Sequence, residues 1–142
     1  MELNLTIIGE PKPKQSCRFA VIGGHVRKYQ KREVVANEND LKIQAIQQLP
    51  TGFIPTSNPL TVKVNYFFAP IKSLRKKDVE TIETIGRLRK TTKPDLTDNL
   101  NKGTFDALQG VVYLNDSQIY EVQAGKYYAK QPRTEIKFFI ED

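Results

Sequence analysis

The sequence predicts a single small domain of the α/β (α+β) class, in which helices flank a mixed β-sheet. First, Leu60–Phe68, "LTVKVNYFF", alternates apolar and polar residues, as a half-buried strand does. Second, Leu41, Ala45 and Leu49 recur every four residues, which is close to the period of an amphipathic helix. Third, the 142 residues show no internal repeat and no linker, and this length suits one compact core. We therefore expect one domain over residues 1–142.

The first half of the chain is expected to contain a strand, a turn and a long helix. Leu3–Ile8, "LNLTII", is typical of a strand, and Gly9 with the prolines that follow ends it. A turn is predicted at Gly23-Gly24. The helix spans Lys31–Leu49, because its apolar residues share one face and Pro50 stops it.

The second half alternates between helical and extended segments. Lys72–Lys90 has a weak helical pattern and high charge, which predicts a short helix followed by a mobile basic loop. A helix is expected over Asp98–Gln109, capped by Thr97 or by its own first residue and ended by the glycine that follows. Gln118–Tyr128 and Arg133–Ile140 are predicted to form a closing hairpin.

Composition excludes several classes of protein. The chain is 39% hydrophobic and 27% charged, which argues against disorder. It has no apolar run of bilayer length and no charged leader before an apolar run, so we expect a cytoplasmic protein that does not enter membranes. One cysteine and one histidine allow neither an internal disulfide nor a zinc site.

Positive charge is concentrated in two segments. Residues 11–32 carry seven basic residues and no acid, and residues 71–93 carry eight basic and three acidic ones. With a formal net charge of +6, this pattern predicts a polyanionic partner such as nucleic acid, although a solvated surface would explain either segment alone. The candidate DNA contacts are Lys12, Lys14, Arg18, Arg75, Lys76, Lys77, Arg87, Arg89 and Lys90.

Carboxylates gather instead in the segment "KPDLTDNLNKGTFDALQGVVYLNDSQI". Asp98, Lys102 and Asp106 are four residues apart and would share one face of the predicted helix. Asp95 precedes this helix and Asp116 follows it. If the next strand returns beside the helix N-terminus, the carboxylates of Asp95, Asp98 and Asp116 would surround one point, with Lys102 beside them.

Such an arrangement would suit phosphodiester hydrolysis. Mg²⁺, with Mn²⁺ as a substitute, would relieve the repulsion among three carboxylates, since it prefers oxygen ligands. The ion can generate a hydroxide and stabilise the departing oxygen, and Lys102 could neutralise charge on the phosphate. The alternative is purely structural: aspartates at a helix start cap the helix, and exposed ion pairs on its face are worth about 0.3–0.5 kcal/mol each.

The acidic segment resembles the signature of the RusA family of Holliday junction resolvases, roughly K-P-D-x-D-N-L-x-K, then D-A-L-x-G, then D-D-x-Q-I. "GEPKPKQSCRF" is similar to the family's opening G-x-P-x-x-K-x-R-x-R after the first strand. The resemblance covers essentially the whole chain, in order. It implies a small homodimeric, magnesium-dependent endonuclease that binds four-way DNA junctions and nicks two opposing strands symmetrically, in DNA recombination and repair and in a phage or prophage setting.

The resemblance also implies roles for individual residues. It makes Asp95, Asp98 and Asp116 the metal ligands, and with Lys102 they form the catalytic set. Two further residues, Asn99 and Asp106, would support this set, and Asp106 would do so by holding Lys102.

The sequence departs from the family pattern at three places. Two residues instead of one separate Asp95 from Asp98, so either Asp95 reaches the metal through a bulged loop or Thr97 occupies the usual first-acid position. Asn115 replaces the first acid of the D-D pair, and Ser16-Cys17 stand where Arg and Pro are usual. Two alternative functions therefore stay open: a DNA-binding protein that has lost its chemistry, and a general nuclease acting on flaps or RNA.

Overall fold

The structure is a computed structural model that describes residues 1–14, 18–29 and 32–142, and only the backbone at 18–20, 22 and 27–29. Within these residues the chain forms seven strands and three α-helices, together with a π-helix at Leu96–Asn101 and a 3₁₀ turn at Asp116–Gln118. In chain order they are β1 (Glu2–Ile8), β2 (Arg18–Ile22), β3 (His25–Tyr29), α1 (Arg32–Gln48), β4 (Leu60–Phe68), α2 (Lys76–Ile85), β5 (Leu88–Arg89), α3 (Lys102–Leu108), β6 (Ile119–Tyr128) and β7 (Arg133–Ile140).

Five of the strands form one mixed sheet in the order β1-β7-β4-β6-β5. β4 runs parallel to β6, and the other neighbours are antiparallel. The predicted single α+β domain with a mixed sheet is therefore confirmed. β2 and β3 form a separate hairpin, whose turn at Gly23-Gly24 has the positive φ angles (57° and 79°) that favour glycine.

One face of the sheet is covered by the helices. Alternate residues of β4, from Leu60 to Phe68, are buried together with Ala45 of α1, Ile82 of α2 and Leu108 of α3 in a single apolar cluster. β1 and β7 contribute alternate residues to the same cluster. Burial of these side chains is the main force that holds α3 against the sheet.

Two predicted connections differ from the structure. β6 and β7 do not form a hairpin, because β4 lies between them and pairs with both. The expected mobile loop after α2 contains β5, which pairs antiparallel with the end of β6, and Gly86 ends α2 with φ 96°. The predicted strand at Leu60–Phe68 is confirmed, and so is the predicted long helix. The expected first residue of that helix, Lys31, lies outside the described residues, and α1 ends at Gln48, one residue before its expected end. Over the described residues, the helices are too short or too polar to cross a bilayer.

Candidate active site

The acidic segment begins as a π-helix, Leu96–Asn101, and continues as α3. The amide of Leu100 donates to the carbonyl oxygen of Asp95 at 3.1 Å, a bond that spans five residues. The expected regular α-helix starting at Asp98 is therefore wrong in its first turn. A π-turn holds one residue more than an α-turn, so the additional residue between Asp95 and Asp98 lies in a turn that accommodates it.

The side chains of the predicted catalytic set are all exposed. Asp98 projects from the π-helix, Lys102 begins α3, and Asp95 precedes both and makes no side-chain capping bond. In the described part of the chain, none of these three side chains is engaged in an ion pair. They are thus accessible to an ion or a phosphate from solvent.

Two buried tyrosines fix the helix that carries these residues. The hydroxyl of Tyr66 on β4 donates to Asn101 Oδ1 at 2.9 Å and lies 3.0 Å from Thr104 Oγ1. The hydroxyl of Tyr113 donates to the carbonyl oxygen of Phe105 at 2.6 Å. Burial raises the pKa of Tyr66 well above its usual range, so this hydroxyl stays protonated and remains a hydrogen-bond donor. α3 is therefore bonded to the sheet as well as packed on it.

Asp106 pairs with Lys14 and not with Lys102. The ammonium of Lys14 lies 3.0 Å from Asp106 Oδ2 and 2.8 Å from Glu38 Oε1 on α1, and only 14% of its side chain is exposed. Burial disfavours the Lys14 ammonium, but the two carboxylates outweigh this effect and raise its pKa. The expectation that Asp106 holds Lys102 is thus wrong, and the expected DNA contact at Lys14 is instead engaged inside the protein.

Asn99 attaches the segment after β1 to the π-helix. Its side-chain amide donates to the carbonyl oxygen of Lys14 at 3.2 Å, and its own carbonyl accepts from the Lys14 amide at 3.1 Å. α3 approaches this segment so closely that a Cβ at Gly103 would lie 3.2 Å from Lys14 Cβ. Asn99 therefore acts on the position of the acidic segment through the backbone.

Asp116 begins a capped 3₁₀ turn. Asn115 Oδ1 accepts from the Ser117 amide at 2.9 Å, and Gln118 Oε1 accepts from the Asn115 amide at 2.7 Å, which is a capping box. The other end of the Gln118 amide donates to the carbonyl oxygens of Thr56 and Asn58 at 2.8 and 2.9 Å. Asn115 thus supplies the acceptor that an aspartate would supply, without its charge.

The expected convergence of three carboxylates is not found. Within residues 1–14, 18–29 and 32–142, no three His, Cys, Asp or Glu side chains are grouped so that they could hold a metal ion. The amide of Asp116 is bonded to Gln109 Oε1 at 3.2 Å, just after α3, whereas Asp98 lies before α3. The bond to Gln109 places the Asp116 backbone next to the C-terminal end of α3. Burial raises the pKa of Tyr113, and the charges of Asp116 and Asp106 raise it further.

The loop Thr91–Asp95 leads into the π-helix and is held by two lysines, Lys126 of β6 and Lys90 just before the loop. The ammonium of Lys126 donates to the carbonyl oxygens of Thr92 and of Pro94, the latter at 2.7 Å. Lys90 donates to Thr92 Oγ1 at 2.7 Å and lies 4.8 Å from the centre of the Tyr128 ring. These contacts fix the position of Asp95.

The chain is similar to known proteins over nearly its whole length. A family model described as Endodeoxyribonuclease RusA matches residues 9–138, which is nearly the whole chain. The chain belongs to the RusA endodeoxyribonuclease family. It is also 32% identical over 134 residues to "Uncharacterized protein YqaN" of Bacillus subtilis (strain 168), an alignment that covers 94% of this chain and 93% of that protein. The family resemblance of the acidic segment is thereby confirmed.

The basic residues of this RusA family protein are divided between free and engaged side chains. Lys12, Arg87 and Arg89 are exposed, whereas Lys90 is partly buried by the contacts described above. Arg75 precedes α2, where its Nε lies 3.5 Å from Asp78 Oδ2, and Lys76 and Lys77 form the first exposed turn of that helix. The backbone of Arg18 begins β2, and its side chain lies outside the described residues.

Sequence reasoning missed three residues that position the site of this RusA family member. Tyr66 and Lys126 lie on strands and act on segments more than thirty residues away, so no local pattern could assign them. Gln118 stands inside the family pattern, and its three hydrogen bonds explain why an amide suits that position. An amide alone can accept from one backbone group while donating to two others.

Proposed function

We propose that this RusA family protein is a Mg²⁺-dependent endodeoxyribonuclease that resolves four-way DNA junctions by symmetric paired nicking. The observation that carries the proposal is the family match over residues 9–138, which includes Asp95, Asp98, Lys102 and Asp116. The proposal is supported by the exposure of all four side chains, which are carried by segments that hydrogen bonds and packing hold in place. Resolution of junctions would serve DNA recombination and repair.

The carboxylates suit Mg²⁺ in their chemistry. Mg²⁺ takes oxygen ligands and is commonly bound by one or two carboxylates together with water and substrate phosphate oxygens. Asp95 and Asp98 offer exposed carboxylates three residues apart at the start of the π-helix, and Asp116 offers a third from its 3₁₀ turn. When bound, the ion would supply the attacking hydroxide and charge stabilisation, and Mn²⁺ could replace it.

Lys102 would act on the scissile phosphate. Its ammonium is exposed at the start of α3, one turn beyond Asp98, and would neutralise charge that develops on the phosphate oxygens. The buried bonds of Tyr66 to Asn101 and Thr104 would keep the helix from moving when the lysine engages the DNA.

Paired nicking requires two sites. An isologous homodimer would present two identical acidic segments to a junction that is itself nearly two-fold symmetric. We therefore propose a homodimer as the active form, and its mass in solution can be measured by light scattering with and without junction DNA.

A second candidate is a protein that binds junctions without cutting them. The absence of a three-carboxylate group within the described residues favours it, because the metal would then depend on fewer protein ligands. Such a protein would keep its affinity for junction DNA in the absence of Mg²⁺ and would remain inactive when the ion is added.

The test uses purified protein with a synthetic four-way junction, a matched duplex, a DNA flap and a single-stranded RNA, each with and without Mg²⁺. Paired nicks on the junction alone, only with Mg²⁺, support the proposal. Tight junction binding with no cleavage supports the second candidate. Cleavage of the flap or the RNA with no preference for the junction would contradict both and indicate a general nuclease.

A further inference from the structure

A stack of two aromatic rings between two cations crosses the sheet face that is opposite the helices. Arg133 of β7, Phe67 of β4 and Tyr127 of β6 lie side by side in register. The rings of Phe67 and Tyr127 stack with centres 5.7 Å apart and an angle of 27° between their planes. The guanidinium of Arg133 lies 4.0 Å from the Phe67 ring centre, and that of Arg87 lies 4.3 Å from the Tyr127 ring centre.

The two ends of this stack differ in their hydrogen bonds. Arg133 Nε donates to Glu135 Oε1 at 2.8 Å, and its Nη1 donates to the carbonyl oxygen of Gln131 at 2.9 Å. Arg87 is exposed, and in the residues that the structure describes its guanidinium contacts a ring face without a hydrogen bond or an ion pair. The ring thus sets the orientation of the Arg87 guanidinium, and the N–H groups of this guanidinium are available to donate to another group.

Gly125 makes room for the ring that orients Arg87. A Cβ at this position would lie 2.6 Å from the Tyr127 hydroxyl oxygen and 2.7 Å from its Cε2 atom, distances that real Cβ atoms do not show. The Tyr127 ring therefore lies across the backbone of its own strand. A side chain at residue 125 would displace the ring from beneath Arg87.

We propose that Tyr127 is a platform that holds the guanidinium of Arg87 ready for a phosphate of the DNA backbone. A planar guanidinium presents paired N–H donors that match two phosphate oxygens, and a side chain already held in one orientation loses less entropy on binding. Arg89 is exposed and pairs in register with Tyr127, so a second cation follows on the same strand edge. The inference rests on the proposed function, because it takes DNA as the partner.

The test compares affinities for a four-way junction at several salt concentrations in EDTA, where no cleavage occurs. The slope of log K against log salt is negative, and loss of one phosphate contact makes it less steep by about 0.9. We expect this change in Arg87→Gln, in Tyr127→Leu and in Gly125→Ala, with weaker binding in each. Tyr127→Phe keeps the ring and should bind as the unchanged protein does.

The double variant and a matched control make the result decisive. Tyr127→Leu combined with Arg87→Gln should show the slope of either single variant, because both remove the same contact. Arg133→Gln removes the same charge from the other end of the stack and should keep the original slope. Circular dichroism melting curves establish that each variant is folded.

Two results would overturn the platform. One is that Tyr127→Leu binds with the original slope, and the other is that its effect adds in full to that of Arg87→Gln. In either case the ring does not act through Arg87. Failure of the unchanged protein to bind junction DNA is a different result, since it would overturn the proposed function itself.

Discussion

The ammonium of Lys14 lies 3.0 Å from Oδ2 of Asp106, across a separation of 92 residues. This contact joins the segment after β1 to the helix that begins with Lys102, and Glu38 extends it to α1. A basic residue that the sequence suggests as a DNA contact thus connects three segments of the fold.

Replacing Lys14 with Met should destabilise the protein by about 1.5–3 kcal/mol, because two partly buried carboxylates would lose a charged hydrogen-bond donor. Urea unfolding followed by circular dichroism measures the change. Lys102→Met is the matched comparison, since this exposed lysine should contribute little to stability. Equal stabilities of the two variants would contradict the role given to Lys14.

The contribution of Lys14 to the free energy of unfolding should also disappear at high pH. Its pKa in the folded protein is raised above 10.5, so the ion pairs stabilise the fold fully below pH 10.5 and lose that effect as the pH rises through the folded value. The difference in unfolding free energy between the unchanged protein and Lys14→Met should therefore be constant near neutral pH and shrink above about pH 10.5. Other titrating groups are common to both proteins and cancel. A difference that grows with pH would be inconsistent with this account.

Asp98→Asn should keep junction binding and lose cleavage by at least about 100-fold, because it removes a proposed metal ligand while preserving shape. Lys102→Met should lose cleavage by a similar or smaller factor, since it removes one charge that stabilises the transition state. Single-turnover nicking assays and junction binding in EDTA provide both measurements. Normal cutting by Asp98→Asn would show that the site assignment is wrong.

Tyr66→Phe should lower stability by about 1 kcal/mol, because it removes the hydroxyl shared by Asn101 and Thr104 while keeping the buried ring. We also expect slower cleavage with unchanged junction affinity, since the start of α3 would be less firmly held. Thermal unfolding and single-turnover rates test the two effects separately. Tyr120→Phe, at an exposed tyrosine of β6, serves as the control and should change neither quantity by a comparable amount.

Asn115→Ala should cost about 1 kcal/mol of stability, whereas Asn115→Asp should cost little, because only the aspartate retains an oxygen that caps the 3₁₀ turn. The aspartate also restores the acid of the family pattern beside Asp116. Denaturant unfolding gives the stabilities, and the Mg²⁺ concentration for half-maximal cleavage shows whether the added carboxylate aids the metal. If the alanine variant is as stable as the unchanged protein, the capping box has no energetic role.

The sequence by itself determined the elements whose signal is local. Alternation predicts β4, a four-residue apolar period predicts α1, and the glycine pair predicts the β2-β3 turn, because each depends on neighbouring residues alone. The spacing of the acidic segment likewise carried the family resemblance that the match over residues 9–138 confirms. Asp98 and Lys102 are both exposed, and the roles that the resemblance gives them stay predictions.

Only the tertiary structure decided which distant groups meet. It places β4 between β6 and β7, pairs Asp106 with Lys14 instead of Lys102, and uses Lys126 to hold the loop before the π-helix. Hydrogen bonds between strands and buried ion pairs form only where the folded backbone brings the two groups together. More than one strand could pair with β6 or β7, and more than one lysine could pair with Asp106. Sequence spacing cannot rank those competitors, because their energies are set by distance and burial in the folded chain.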